Sequence, residues 1–141
     1  MKRNIHATTV AVDGRGVLIL GASGQGKSSL ALQLISLGGV LVADDRTDLT
    51  QKNGLLRASA PKSIQGMIEA RGIGLLALPY VSDIPIYLTV DLDNDETERL
   101  PKPYYQTLLD VRIPSLRRVN GNHFSASVFL YLKTMKPNSH D

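Results

Sequence analysis

A chain of 141 residues, 43% hydrophobic and 21% charged, has the length of one domain and an ordinary globular balance, which excludes disorder as a description of the whole. It holds no cysteine, so disulfides and thiolate metal sites are excluded, and no apolar run approaches the ~20 residues that cross a bilayer. The net charge of +3 is thinly spread and aromatics are only 5%, so a nucleic-acid surface of interleaved basic and stacking residues is not expected.

In chain order, Met1–His6 carries basic residues with no apolar stretch behind them, unlike a secretory signal, and a cytoplasmic protein with no membrane partner is expected. Residues 7–12 (ATTVAV) predict a short strand, and Asp13-Gly14-Arg15-Gly16 a turn. Val17–Leu20 is continuously apolar, as in a strand buried on both faces. A helix is predicted from Ser28 to about Leu37, with Leu30, Leu34 and Leu37 at helical spacing and Gly38-Gly39 closing it.

Val40–Ala43 predicts the next strand, with Asp44-Asp45 at its carboxyl end. Residues 46–68 alternate short strands with turns, Lys52-Asn53-Gly54 being a hairpin signal, and Pro61 to about Met67 reads as a short helix. Residues 86–90 predict a strand and 91–103 an acidic, proline-bounded connection. The apolar segments at 108–113 and 124–132 read as a strand, and as either strand or helix. His123 and His140 are expected at the surface.

The stretch GASGQGKS, Gly21 to Ser28, fits the phosphate-binding pattern G-x-x-x-x-G-K-S/T in full. Its glycines let the backbone wrap an oxyanion and aim N–H groups at it, and the following helix adds the positive end of its dipole. Nucleotide binding is therefore expected of Gly21, Ala22, Ser23, Gly24, Gln25, Gly26, Lys27 and Ser28, with Lys27 on the β and γ phosphates and Ser28 on Mg²⁺. A second acidic site is needed for the metal or the acceptor, and Asp44-Asp45 is the candidate. Adjacent carboxylates on an extended chain point to opposite faces, so one serves the metal and the other accepts a hydroxyl proton. A turn-forming acidic pair is the competing reading.

These residues resemble the catalytic, C-terminal domain of bacterial HPr kinase/phosphorylase. The resemblance rests on GASGQGKS, on Leu41–Asp45 (LVADD) after the double-glycine helix end, and on Ile68–Gly74 (IEARGIG), which looks like the signature E-x-R-G-L/I-G. It spans residues 5 to about 90, and more weakly to about 130, where Ile113-Pro114 resembles a family element. It implies an α/β fold with a P-loop NTPase-like core of the HPr kinase/PEP carboxykinase type, a mixed sheet flanked by helices. Residue by residue it implies catalytic roles for His6, Lys27, Asp45 and Arg71, with Asp45 exchanging the proton of the target serine, and metal binding by Ser28, Asp44 and Glu69. It further implies ATP as substrate, Mg²⁺ as cofactor, HPr and inorganic phosphate as partners, and a homo-oligomer, a hexamer in the family.

The chain departs from the family pattern in two places. The resemblance is to the short alphaproteobacterial form, so residues 1–141 are expected to be a single catalytic domain without the family's separate N-terminal domain. A further family arginine after the signature has no counterpart, since Leu78–Asp83 runs straight into a strand, and the family's R-P-G-R-N loop is matched only by Arg117–Asn122. Arg117 or Arg118 is the candidate for the missing cation. The expected function is ATP-dependent phosphorylation of a serine on HPr, with phosphorolysis less secure. A small-molecule kinase or NTPase on the same loop, and a nucleotide sensor without transfer, are the alternatives.

Overall fold

The computed structural model describes residues 1–136. Strand β1 (Lys2–Val12) turns into β2 (Arg15–Leu20), followed by helix α1 (Lys27–Ser36), β3 (Val40–Ala43), β4 (Arg46–Lys52) and β5 (Leu55–Ser59). A short hairpin of β6 (Met67–Ala70) and β7 (Gly74–Ala77) precedes the long β8 (Ile84–Asp95), then β9 (Tyr104–Leu108), β10 (Val111–Arg118) and helix α2 (Phe124–Thr134). The fold is α/β, a mixed sheet with flanking helices.

The long strands β1 and β8 each serve two partners along their length. Residues 2–6 of β1 pair antiparallel with β4, whereas residues 7–12 pair antiparallel with β2 and, from Thr9, with β3. The start of β8 pairs with β5, and its remainder lies parallel between β2 and β10. The apolar run at 17–20 is explained by this central position. Val17 and Ile19 enter the core shared with Leu30, Leu34, Val128 and Leu132 of the helices, while Leu18 enters a second core with Leu49, Leu56 and Ile86.

Local chemistry sets the turns. Asp13-Gly14 and Asn53-Gly54 all have positive φ and close two-residue hairpins, as their sequences predict. Helix α1 ends in paired backbone bonds, Gly39 N–H to Leu34 O at 2.9 Å and Gly38 N–H to Ile35 O at 3.0 Å. Gly39 also permits close packing: a Cβ there would lie 2.9 Å from Leu34 O and from Val10 Cγ1. Leu37 caps this end and is exposed rather than part of the buried stripe.

Three sequence expectations are corrected. The helix expected at Pro61–Met67 is a single 3-10 turn, Lys62–Ile64, because Gly66 takes φ 74° and turns the chain into β6. The acidic connection begins later than residue 91: Asp91–Asp95 prolong β8, Asp91 pairing with Leu20 and Asp95 with Arg118, and Leu92 is buried. The segment 108–113 is not one strand, since Leu109-Asp110 form a positive-φ hairpin turn between β9 and β10. No glycine or asparagine marks that turn. The segment 124–132 is helical. Among the described residues, no helix is long and apolar enough to cross a membrane.

Candidate active site

Strand directions gather the site. β2 and β10 both run parallel to β8, and β3 pairs antiparallel with the same β1 that opposes β2. The carboxyl ends of β2, β3, β8 and β10 therefore open on one edge, where ligands collect in parallel sheets. The loop after β2, the acid pair after β3, and Glu69 and Arg71 of the β6–β7 hairpin line one cavity of about 450 Å³.

The loop is built to present N–H groups. Gly26 is the N-cap of α1 with φ 94°, a conformation that L side chains rarely adopt, and no side chain caps the helix. The first-turn amides are thus left for an anion. Lys27 is buried and curls over the loop, its Nζ donating to Gly21 O at 2.8 Å and Ala22 O at 3.3 Å. The loop is braced from two strands. Asp93 Oδ1 at the end of β8 accepts the Ala22 N–H at 3.0 Å. Arg118 Nη2 at the end of β10 donates to the Gln25 carbonyl and, at 3.2 Å, to its side-chain oxygen.

The two aspartates diverge as expected, for a different reason. The chain is not extended there: Asp45 has φ 66°, and the Arg46 N–H closes onto Asp44 O at 2.7 Å. Asp44 turns inward and is buried, while Asp45 stays exposed. Asp44 Oδ1 accepts from Ser28 Oγ at 2.7 Å and Thr8 Oγ1 at 3.1 Å, and Oδ2 accepts from the Glu69 N–H at 3.0 Å. Asp45 Oδ1 lies 2.8 Å from His6 Nε2, and its N–H donates to Thr8 Oγ1 at 3.1 Å. His6 reaches it because His6 and Arg46 are register partners across β1 and β4.

Most of the expected site residues thus share one cleft. Ser23, Gly24, Gly26, Lys27 and Ser28 of the loop line it, whereas Gly21, Ala22 and Gln25 do not; Ser28 meets Asp44, and His6 meets Asp45. Glu69 meets Asp44 through its backbone rather than its carboxylate, which is exposed on the cavity wall. Arg71 lines the cavity with no ion-pair partner among the described residues. Of the two candidate cations, Arg118 touches the loop, whereas the Arg117 guanidinium lies 4.0 Å from the centroid of the Tyr104 ring. His123 is exposed at the start of α2, and His140 lies outside the described residues. Sequence reasoning missed Thr8, which links both aspartates, and Asp93. The alternation Asp91-Leu92-Asp93 after an apolar strand was the available signal for the latter.

Ser28 Oγ and the Asp44 carboxylate are hard oxygen donors in contact, a pairing that fits Mg²⁺. Among the described residues, no three imidazole or acidic groups gather as a ready-made cage.

Residues 1–118 match the family described as the HPr Serine kinase C-terminal domain. The chain is 47% identical over 75 residues to the HPr kinase/phosphorylase of Clostridium novyi (strain NT), covering 53% of this chain and 24% of that protein. It is 48% identical over 77 residues to the protein of the same name from Lactobacillus acidophilus, covering 53% and 24%. The matched stretch thus amounts to about a quarter of the length of these relatives. Among solved structures, the Hpr(Ser) kinase/phosphatase from Coxiella burnetii matches with a TM-score of 0.77 and 28% identity, over 93% of this chain and 94% of that one.

Proposed function

The chain belongs to the HPr serine kinase C-terminal domain family, and we propose that it is an ATP-dependent kinase of the cytoplasm that phosphorylates a serine of the phosphocarrier HPr. The observation that carries this reading is the His6–Asp45 pair at 2.8 Å, whose Asp45 lines the same cleft as the phosphate loop. A carboxylate that is exposed, oriented by an imidazole and adjacent to a phosphate site can take the proton of an incoming hydroxyl.

The loop amides and the α1 N-terminus hold the phosphate chain, and Lys27 exchanges its loop carbonyls for the β and γ phosphate oxygens. Mg²⁺, held by Ser28 and Asp44 with Glu69 as a further acid, supplies charge neutralisation at the phosphates. Asp45 receives the serine proton as the hydroxyl oxygen approaches in line, and His6 keeps the carboxylate aimed at the acceptor. Arg71, exposed on the same wall, is placed to grip a phosphoryl oxygen. In dephosphorylation inorganic phosphate attacks the phosphoserine phosphorus, the serine P–O bond breaks, pyrophosphate forms, and Asp45 returns the proton to the serine oxygen. Positioning and charge supply the rate, since little covalent work falls to the protein.

A transfer assay tests this. Protein, ATP labelled at the γ position, Mg²⁺ and HPr should give acid-stable phosphoserine on HPr, removed on adding inorganic phosphate. ATP binding without label on HPr would overturn the reading and favour a nucleotide sensor or another acceptor.

A further inference from the structure

Strand β1 keeps one antiparallel register along β4 and into the end of β3, from Lys2↔Thr50 to His6↔Arg46 and again at Thr9↔Ala43. Those last two pairings are three residues apart on each side, so the register sets Thr8 opposite Asp44 and Ala7 opposite Asp45. There the ladder breaks. Neither acid pairs with β1, and Asp45 leaves the extended conformation at φ 66°. β1 itself runs on unbroken, since Ala7 and Thr8 pair with Leu20 and Ile19 of β2, the strand that opens into the phosphate loop.

We propose that Thr8 is a positioning residue for phosphoryl transfer: its hydroxyl holds this break in shape and so sets the Asp45 carboxylate beside His6. The proposal rests on the reading of Asp45 as the base. A bent chain takes the Asp45 N–H out of the ladder, and Thr8 Oγ1 accepts it at 3.1 Å. The same hydroxyl gives its own proton to Asp44 Oδ1 at 3.1 Å, so its donor and acceptor roles are both used on the acid pair. Threonine suits the task, because its branched side chain is stiff at χ1 and Thr8 is fully buried. The neighbouring Thr9 is equally buried but points to the other face of β1. Its hydroxyl meets Thr47 Oγ1 at 2.8 Å and touches neither acid. Asp44 has two further donors, Ser28 Oγ and the Glu69 N–H, whereas the Asp45 backbone is tied by Thr8. Loss of the Thr8 hydroxyl therefore acts on Asp45 more than on the phosphate and metal side.

The test is steady-state transfer from ATP to HPr, with Asp45 amide hydrogen exchange, read by NMR, as a measure independent of catalysis. Thr8→Val keeps the shape and removes the hydroxyl. It should lower kcat by about 10–100-fold, leave KM for ATP within about twofold, and speed Asp45 exchange by about tenfold or more. Thr8→Ser, which keeps the hydroxyl, should recover most of the kcat. Thr9→Val should lower the denaturation midpoint yet keep kcat within about twofold, as a merely structural loss does. Should the valine variant not fold, Thr8→Ala against Thr8→Ser gives the same contrast. Unaltered kcat in a folded variant lacking the Thr8 hydroxyl would overturn the proposal, as would an equal loss of kcat in Thr9→Val. No transfer by the unaltered protein would sink the kinase reading, and exchange alone would then decide the hold of Thr8 on Asp45: faster exchange upholds it, unchanged exchange overturns it.

Discussion

The Asp45 carboxylate lies 2.8 Å from Nε2 of His6, although the two stand 39 residues apart in the chain. The contact follows from strand register: β1 and β4 pair His6 with Arg46, so the residue just before Arg46 meets the imidazole. Asp45 also sits at φ 66°, a conformation that asparagine tolerates well.

Asp45→Asn should therefore keep the local backbone, keep ATP binding and lower transfer by roughly 10²–10⁴-fold, the usual contribution of a positioned base. His6→Ala should lower kcat less, by about 10–100-fold, corresponding to the ~1.5–3 kcal/mol of a hydrogen bond to a charged group. Steady-state kinetics on HPr, paired with ATP titration, separates the two. Unchanged kcat in Asp45→Asn would remove Asp45 from the mechanism.

Asp44 is expected to matter for stability as well as activity. It accepts from Ser28, Thr8 and the Glu69 backbone, and Thr8 is fully buried. Asp44→Ala leaves these donors without their acceptor and should cost about 1–3 kcal/mol, read as a lower denaturation midpoint. Asp45→Asn, at an exposed position and suited to φ 66°, should shift the midpoint much less. Equal midpoints for the two would contradict the buried role of Asp44.

Among the described residues Lys27 donates to the loop carbonyls of Gly21 and Ala22, and a triphosphate offers it charged oxygens instead. Lys27→Ala should weaken ATP and tripolyphosphate alike, by about 10–100-fold, because the lost partner contacts phosphate rather than base. Titration calorimetry with both ligands checks this. A loss confined to ATP would place Lys27 elsewhere.

Arg118 braces the loop through the Gln25 carbonyl and side chain together. Arg118→Ala should lower kcat/KM by about tenfold or more with the chain still folded, since both contacts to Gln25 are lost. Arg118→Lys should recover only part, since an ammonium lacks the planar fork. Arg117→Ala, which removes a cation over Tyr104, should leave transfer nearly unaffected. The reverse order of effects would make Arg117 the supporting cation.

Much of the site was legible in the chain itself because its parts are local. A phosphate loop needs a glycine pattern, a lysine and a hydroxyl within one strand–turn–helix, and Gly21–Ser28 has them. The hairpins at Asp13-Gly14 and Asn53-Gly54 and the glycine end of α1 were readable for the same reason, since positive φ selects residue types. The turn at Leu109-Asp110 was not, because Leu109 gives no sign of positive φ and Asp110 has no glycine beside it. Nor was the strand character of Asp91–Asp95, where burial of Leu92 and pairing with β2 and β10 outweigh the acidic composition.

The sequence by itself determined the phosphate chemistry and the presence of an acid pair nearby. Tertiary structure alone decided which acid is buried against Ser28 and which is exposed beside His6. Strand register brings His6 to Asp45 and Thr8 to Asp44, strand direction sets Asp93 and Arg118 against the loop, and the bend at Asp45 keeps one carboxylate in the interior and the other in the cleft. Spacing along a chain encodes contacts within a turn or a helix. Contacts between distant strands depend on which edges pair and in what register, and the burial of whole faces selects that pairing.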